Sequence, residues 1–274
     1  MNTKKIPPSL VYFKLAENTS SRKIRLLCRS EKLFGPTATL APGFLQSNLV
    51  IVPKRYSFDF LLFCLRNPRA CPLLDVIDAG FETKLAHCAD LRTDLPKYRI
   101  WKNGQVHDEP KNILPYWRED FVSFLLGCSF SFEKDLRDQS LFNNESTSVP
   151  MYKTKIKNIA SGVFRGNLVV SMRQFFENDI EKVYHITERH QLSHGKPIGM
   201  GRKAQEELGI LDLNQPDYGE TVAIKTDMIP LFWACGVTPQ SAIEEAKEEI
   251  NDIIITHYPG CMFITDVPDD TAHD

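Results

Sequence analysis

The chain predicts a mixed α/β (α+β) protein: a layered αβα main domain with a smaller two-layer α+β domain. Two observations carry this. Residues 229–266, IPLFWACGVTPQSAIEEAKEEINDIIITHYPGCMFITD, read as a strand, a sharp turn, a helix and a second strand. The polar stretch KNGQVHDEPKN around Asn103 has the composition of a joint between two units. The main domain is expected to take residues 1–110 plus 186–274, and the smaller one residues 111–185. A length of 274 residues allows one large domain or about two ordinary ones.

In chain order, Gly35-Pro36 and Pro42-Gly43 punctuate loops around a strand at residues 48–52. Ser57 then caps an apolar helix, SFDFLLFCLR, which stops at Asn67-Pro68 because the residue before a proline is pushed out of the helical region. CPLLDVIDAG follows as a strand or short helix, and TDLPKYRIW as a loop leading into a strand. Asn103-Gly104 is a hairpin signal. From Trp117 the pattern REDFVSFLLGC reads as a strongly apolar helix. SFSFEKDLRDQSLF gives a second helical piece after a small-residue break at Gly127, Cys128 and Ser129. GNLVVSMRQF is a buried strand ending at Ser171 and Arg173, KVYHITERH a further strand, and RKAQEELGI a short helix. PLFWAC is a strand of apolar and aromatic residues. Thr238 caps the next helix, with Pro239 at its first position, and Ile243, Ala246, Lys247 and Ile250 form one semi-apolar face. DIIIT is the last strand, and no internal repeat is visible.

Composition narrows the function classes. Lys+Arg 33 against Asp+Glu 35 leaves a net charge of −2, without the signature of a nucleic-acid or membrane-surface partner. A hydrophobic fraction of 42% and a charged fraction of 25% are those of an ordinary globular protein. The N-terminus has no signal-peptide core and no stretch approaches membrane-spanning length, so a cytoplasmic protein is expected. The seven cysteines contain no CxxC pair and no zinc-type histidine partner. Reduced thiols, no metal site and no cofactor are therefore expected. Self-association into a homo-oligomer is left open.

Candidate site residues follow from the elements. A helical crossover normally joins parallel strands, which would place Cys235, Gly236, Thr238 and His257 near carboxyl strand ends, where open α/β sheets bind ligands. Cys235 precedes a helix N-terminus, whose dipole lowers a thiol pKa, making it a candidate nucleophile. The alternative is a packed, inert thiol. For His257 the alternative is a hydrogen-bonded residue fixing the turn before Pro259-Gly260. The break at Cys128 and Ser129 lets backbone amides and a hydroxyl face a ligand, with Glu133 one turn further on; helix packing is the bland reading. Arg173, emerging from a strand, is a carboxylate clamp or a surface ion pair. Gly199-Met200-Gly201 precedes a helix and reads as an anion loop or a plain loop.

These segments together resemble the hydro-lyase family that includes the D-glutamate cyclase-like proteins. The resemblance runs through APGFLQSNLVIVP, DFLLFCLRNPRACPLL, LRTDLPKYRIW, GCSFSFE, VPMYKT, LVVSMR, ITERHQLSHGKP, PLFWACGVTPQ and THYPGCMFITD, in the family's order, over residues 25–266. Two departures stand out. The family pattern HGxPxHxGxP is met here by His194-Gly195-Lys196-Pro197-Ile198-Gly199-Met200-Gly201-Arg202, with Gly199 in place of a histidine and Arg202 in place of an acid. THxPGHMFxTD is met by THYPGCMFITD, with Cys261 in place of a histidine.

The resemblance implies carbon–oxygen lyase chemistry on a small acidic amino acid or carboxylate, with D-glutamate cyclisation to 5-oxo-D-proline as the best-defined candidate. His194 or His257 would be the base that frees the amine. Arg173 would bind a carboxylate, while Ser129, Thr238 and main-chain N–H groups would stabilise the oxyanion. Glu133 or Asp266 would donate a proton if burial raises its pKa. In a variant, Cys235 or Cys128 forms a thioester before the amine attacks. The other readings are a carboxylate-binding protein without turnover and a silent interaction protein retaining the fold.

Overall fold

The computed structural model describes residues 19–141 and 149–269. After a first helix, α1 (Ser21–Arg29), the chain enters β1 (Phe44–Pro53), all of whose residues but Phe44 are buried. β1 is the axis of the larger sheet. On one side it pairs along its length with β5 (Phe121–Gly127), from Ser47 opposite Gly127 to Pro53 opposite Phe121. On its other side two strands follow one another: β10 (Ile253–His257) holds the Val50–Ile51 end and β11 (Phe263–Pro268) the Gln46–Ser47 end. Between them residues 258–262 leave the sheet beside Asn48. β2 (Leu73–Ile77), β3 (Tyr98–Lys102) and β4 (Gln105–Asp108) complete the order β2-β5-β1-β10-β3-β4. The β3–β4 turn runs through Asn103 at φ 53° and Gly104 at φ 66°, the left-handed pair that Asn-Gly supplies at low cost.

The smaller sheet has the order β6-β7-β9-β8, formed by β6 (Met151–Lys157), β7 (Asn167–Phe175), β9 (Ile229–Ala234) and β8 (Gly199–Met200). Every strand pair among the described residues is antiparallel. The mixed α/β class is as predicted, but the crossover expected at the end of the chain is absent. β9 lies in the smaller sheet and β10 in the larger, so the helix between them, α6 (Thr238–Glu245), carries the chain from sheet to sheet.

Four local expectations are corrected. The apolar run 121–127 is strand β5, buried at every position; with both faces covered its hydrophobic pattern has no period to distinguish strand from helix. KVYHITERH lies in a helix, α4 (Ile180–Arg189), which buries Val183, Ile186 and Thr187 at helical spacing. Helix α2 (Lys54–Arg66) starts directly after Pro53, so Ser57 lies inside its first turn and donates to Lys54 O at 2.8 Å instead of capping. Thr238 is the first residue of α6, with Val237 in the cap position, and its hydroxyl donates to Cys235 O at 2.7 Å. The segment SFSFEKD forms a 3-10 turn, Ser129–Phe132, and a short α3 (Glu133–Asp138); RKAQEELGI forms α5 (Gly201–Leu208) as expected.

The main core fills the space between the sheets: Val50, Val52 and Phe124 meet Phe60 and Phe63 of α2 and Ala242 and Ile243 of α6. Phe60 packs edge-on to Phe124 at 4.8 Å and to Phe164 at 5.1 Å. Burying each such ring contributes roughly 1.5–3 kcal/mol. A second core lies on the opposite face of the larger sheet, where Leu49, Ile51 and Ile255 pack under Leu91 and Leu95. The smaller sheet is covered by α4 on the face of Leu231 and Trp233, and by α5 on the face of Met172 and Phe232. No helix of the described residues is long and apolar enough to cross a membrane.

Candidate active site

The middle of β1 and of β7, the segments that follow β5 and β9, and the excursion at residues 258–262 line a small cavity of about 30 Å³. Its polar lining is Asn48, Cys128, Ser129, Ser171, His194 and Cys235. Cys128 follows β5 and Cys235 follows β9, while Asn48 and Ser171 lie within β1 and β7 beside them. The volume is room for ordered water, not for a whole amino acid.

Behind the cavity lies Arg173, 3% exposed, bonded to Glu133, 2% exposed. Its Nε donates to Glu133 Oε1 at 3.0 Å and Nη2 to the same oxygen at 2.5 Å. Nη2 also donates to Ser129 Oγ at 3.0 Å and Nη1 to Ser171 Oγ at 3.3 Å. The rings of Phe132 and Trp233 flank the guanidinium at 5.2 and 5.6 Å. Arg173 is thus held by an internal carboxylate and reaches the cavity through two hydroxyls. A guanidinium only donates, so both serine oxygens accept from it and keep their own protons for an acceptor in the cavity. Glu133 does not line the cavity; it serves as the counter-ion of Arg173 and also bonds Arg137 at 3.3 Å.

His194 closes the 3-10 turn Gln191–Ser193 in a left-handed conformation, φ 79°. Its Nδ1 lies 2.7 Å from Arg69 O. A carbonyl only accepts, so Nδ1 carries the proton and Nε2 keeps its lone pair. Burial, with the nearby charges of Arg173 and Arg69, pushes the imidazole pKa down to about 4 against the weaker pull of the Arg69 carbonyl. The ring is neutral near pH 7, an acceptor facing the cavity.

Cys235 is not activated as its position before α6 suggests. Burial pushes its thiol up to about 11 and that of Cys128 up to about 12; backbone N–H bonds from Val237 and Phe130, and the Arg173 charge, offset only part of this. Both are protonated thiols on the cavity wall near neutrality.

The structure brings Cys128, Ser129, His194 and Cys235 to one cavity, with Arg173, Glu133 and Thr238 in the layer behind it. Thr238 is fully buried and bonds Cys235 O and Val169 N, the latter at 3.1 Å, holding the turn after β9. His257 and Asp266 lie elsewhere. On β10 His257 shares the face of Ile255, turned to the core beyond the larger sheet, with Nδ1 3.2 Å from both N and O of Leu49. Its Nε2 is buried without a partner, and burial pushes its pKa down to about 4. Asp266 accepts from Arg25 at 2.8 and 2.9 Å, from His87 N at 2.8 Å, and from the Ser21 hydroxyl. Burial would raise its pKa, but these bonds hold the carboxyl at about 2, so it has no proton to donate near neutrality.

The positions that depart from the family pattern lie off the cavity wall. The Cys261 thiol donates to Gly35 O at 3.3 Å, and burial pushes its pKa up to about 12. Gly199 pairs with Phe232 on β8, where a Cβ would come within 2.7 Å of Ala204 Cβ. Arg202 is exposed and pairs with Glu206 at 3.1 Å. Among the described residues no group of three or more His, Cys, Asp or Glu side chains is placed to hold a metal ion.

Two polar lining residues, Asn48 and Ser171, escaped the sequence reading as site candidates. Asn48 looks like a polar interruption of a strand and Ser171 like an alternating strand position. The available signal was a buried-strand pattern broken by a short polar residue in SNLVIV and VVSMR.

A family model described as D-glutamate cyclase matches residues 122–266. A relative from Thermoanaerobacter sp. (strain X514) is 48% identical over 259 residues, which cover 93% of this chain and 96% of the relative. One from Staphylococcus haemolyticus is 46% identical over 263 residues, 94% of this chain and 99% of the relative. One from Bacillus subtilis (strain 168) is 45% identical over 260 residues, 91% and 97% respectively. All three are named "Putative hydro-lyase". A nitrogen repressor-like protein from Methanococcus jannaschii superposes with a TM-score of 0.36 at 10% identity, covering 87% of this chain and 96% of that one.

Proposed function

The chain belongs to the hydro-lyase family of these relatives and carries its D-glutamate cyclase domain, and on that premise we propose that the cavity closes D-glutamate to 5-oxo-D-proline with loss of water. The observation that carries this reading is a neutral imidazole with a free Nε2 on the same cavity wall as two serine hydroxyls polarised by one buried arginine.

Cyclisation needs a free amine, an electrophilic γ-carboxyl and a proton for the departing oxygen. His194 Nε2 accepts a proton from the α-ammonium group, and the amine nitrogen then attacks the γ-carboxyl carbon. One C–N bond forms and one C–O bond breaks. Ser129 and Ser171 donate to the oxygen on which negative charge grows, with the Arg173 charge behind them. Two of the three ammonium protons finish on the leaving oxygen, which departs as water; His194 returns the one it took. Both cavity thiols are protonated near neutrality, which favours this direct route over a thioester.

A cavity of about 30 Å³ must widen to admit the substrate, so association should be slower than diffusion allows. The test is incubation of the purified chain with D- and L-glutamate, with 5-oxoproline followed by mass spectrometry. Formation of 5-oxo-D-proline that disappears in His194→Asn supports the reading. Binding of glutamate without turnover would make the chain a small-carboxylate-binding protein; neither binding nor turnover would refute the assignment.

A further inference from the structure

We infer that Asn48 is the residue that recognises the α-amino group of the ligand and makes the cavity select amino acids over plain carboxylic acids of the same length. This rests on the reading of the cavity as an acidic amino-acid site.

Asn48 is 2% exposed and lies in β1 where β10 gives way to β11, and its side chain lines the cavity. Its Nδ2 donates to Gly127 O at 2.7 Å and to Leu126 O at 3.4 Å. Both partners are carbonyls, which only accept, so the orientation of the amide is determined by chemistry. Oδ1 therefore points the other way, and no protein donor reaches it. On the cavity wall, an amide oxygen without a protein donor is free to accept an N–H or O–H from whatever occupies the cavity.

The polarity of the cavity is divided accordingly. Ser129 and Ser171 have protons to give; Asn48 Oδ1 and His194 Nε2 have lone pairs to fill. A ligand that satisfies all four needs acceptor oxygens at one end and N–H groups at the other. An amino acid has both, and a dicarboxylate has only the first. Gly236 keeps the arrangement possible, because a Cβ there would fall 2.0 Å from Asn48 Nδ2 and 2.7 Å from Oδ1. A purely structural role accounts for Nδ2, which ties β1 to the end of β5, but leaves Oδ1 unused.

The experiment is calorimetry of the full chain with D-glutamate and with glutarate, which lacks the amino group, on wild type, Asn48→Ser and Asn48→Leu. Wild type is expected to bind D-glutamate at least about tenfold more tightly than glutarate, and each folded variant to lose most of that preference while glutarate affinity changes little. Equal wild-type affinity for the two acids overturns the Asn48 assignment and leaves the acidic-ligand reading standing. A preference that survives in a folded variant also overturns it. Binding of neither acid overturns both.

Discussion

Arg173 and Glu133 bond to each other inside the protein, Nε to Oε1 at 3.0 Å, with neither side chain more than 3% exposed. The Arg173 charge behind the cavity is therefore balanced from within, and its influence is passed on by Ser129 and Ser171. Removing one member of such a pair strands a buried charge, which costs about 3–5 kcal/mol. Arg173→Ala and Glu133→Ala should each lower stability by about that amount, and the double variant by less than the sum. Urea unfolding of the four proteins measures this; strict additivity would mean that the pair is not coupled.

His194→Asn should leave the fold intact, because asparagine tolerates the left-handed backbone at this position and its amide can still donate to Arg69 O. Turnover should fall by about 10²–10⁴-fold, the usual worth of a general base. Unchanged kcat in a folded variant would remove His194 from the chemistry.

Two buried histidines should make the protein acid-labile well above the carboxylate range. His194 and His257 are both held at about 4, against an ordinary value of 6.5. Between these limits the unfolded chain takes up protons that the folded chain refuses. Stability is therefore fully present above about pH 6.5, falls as pH drops, and levels off near pH 4, by on the order of 3 kcal/mol per histidine. Asp266, held at about 2, acts in a separate and lower window: its contribution is present above its ordinary value of 3.8 and is lost as pH falls through 2. Urea midpoints at pH 7.5, 6, 5 and 4 read the slope, and His257→Gln should flatten it.

Cys128→Ser and Cys235→Ser should each retain turnover within about tenfold, since thiols held near 12 and 11 supply almost no thiolate at pH 7. Cys88 is the exposed cysteine among the described residues and should be the first alkylated by iodoacetamide. Loss of all activity in Cys235→Ser, with the fold intact, would restore the thioester route.

Gly127→Ala should be strongly destabilising. A Cβ at that position would lie 1.5 Å from Leu192 O, in the turn that leads to His194. Backbone must move to relieve the clash, so activity should fall with stability. Thermal unfolding of the variant within a degree of wild type would show that the turn yields freely.

Much of this molecule is readable from short stretches. Asn103-Gly104 specifies its hairpin because only a few residues accept two left-handed positions in succession. SFDFLLFCLR and RKAQEELGI form helices, and GNLVVSMRQF and DIIIT form strands, because their patterns answer to local sterics and burial. The ordered family words identify the hydro-lyase family and single out His194, and Ser129, Cys128 and Cys235 are visible as small or reactive residues at element ends. The tertiary structure decided the rest. Phe121–Gly127 is a strand because β1 and β2 flank it, a fact that a uniformly apolar run cannot express. Cys235 is a protonated thiol because burial outweighs the helix end beside it. Asn48 faces Gly236 and the carbonyls of β5, partners remote along the chain. Local pattern encodes which conformation a segment prefers. Which polar atoms are left unpaired, and which charges are desolvated, depends on distant segments meeting, and that determines the chemistry of the cavity.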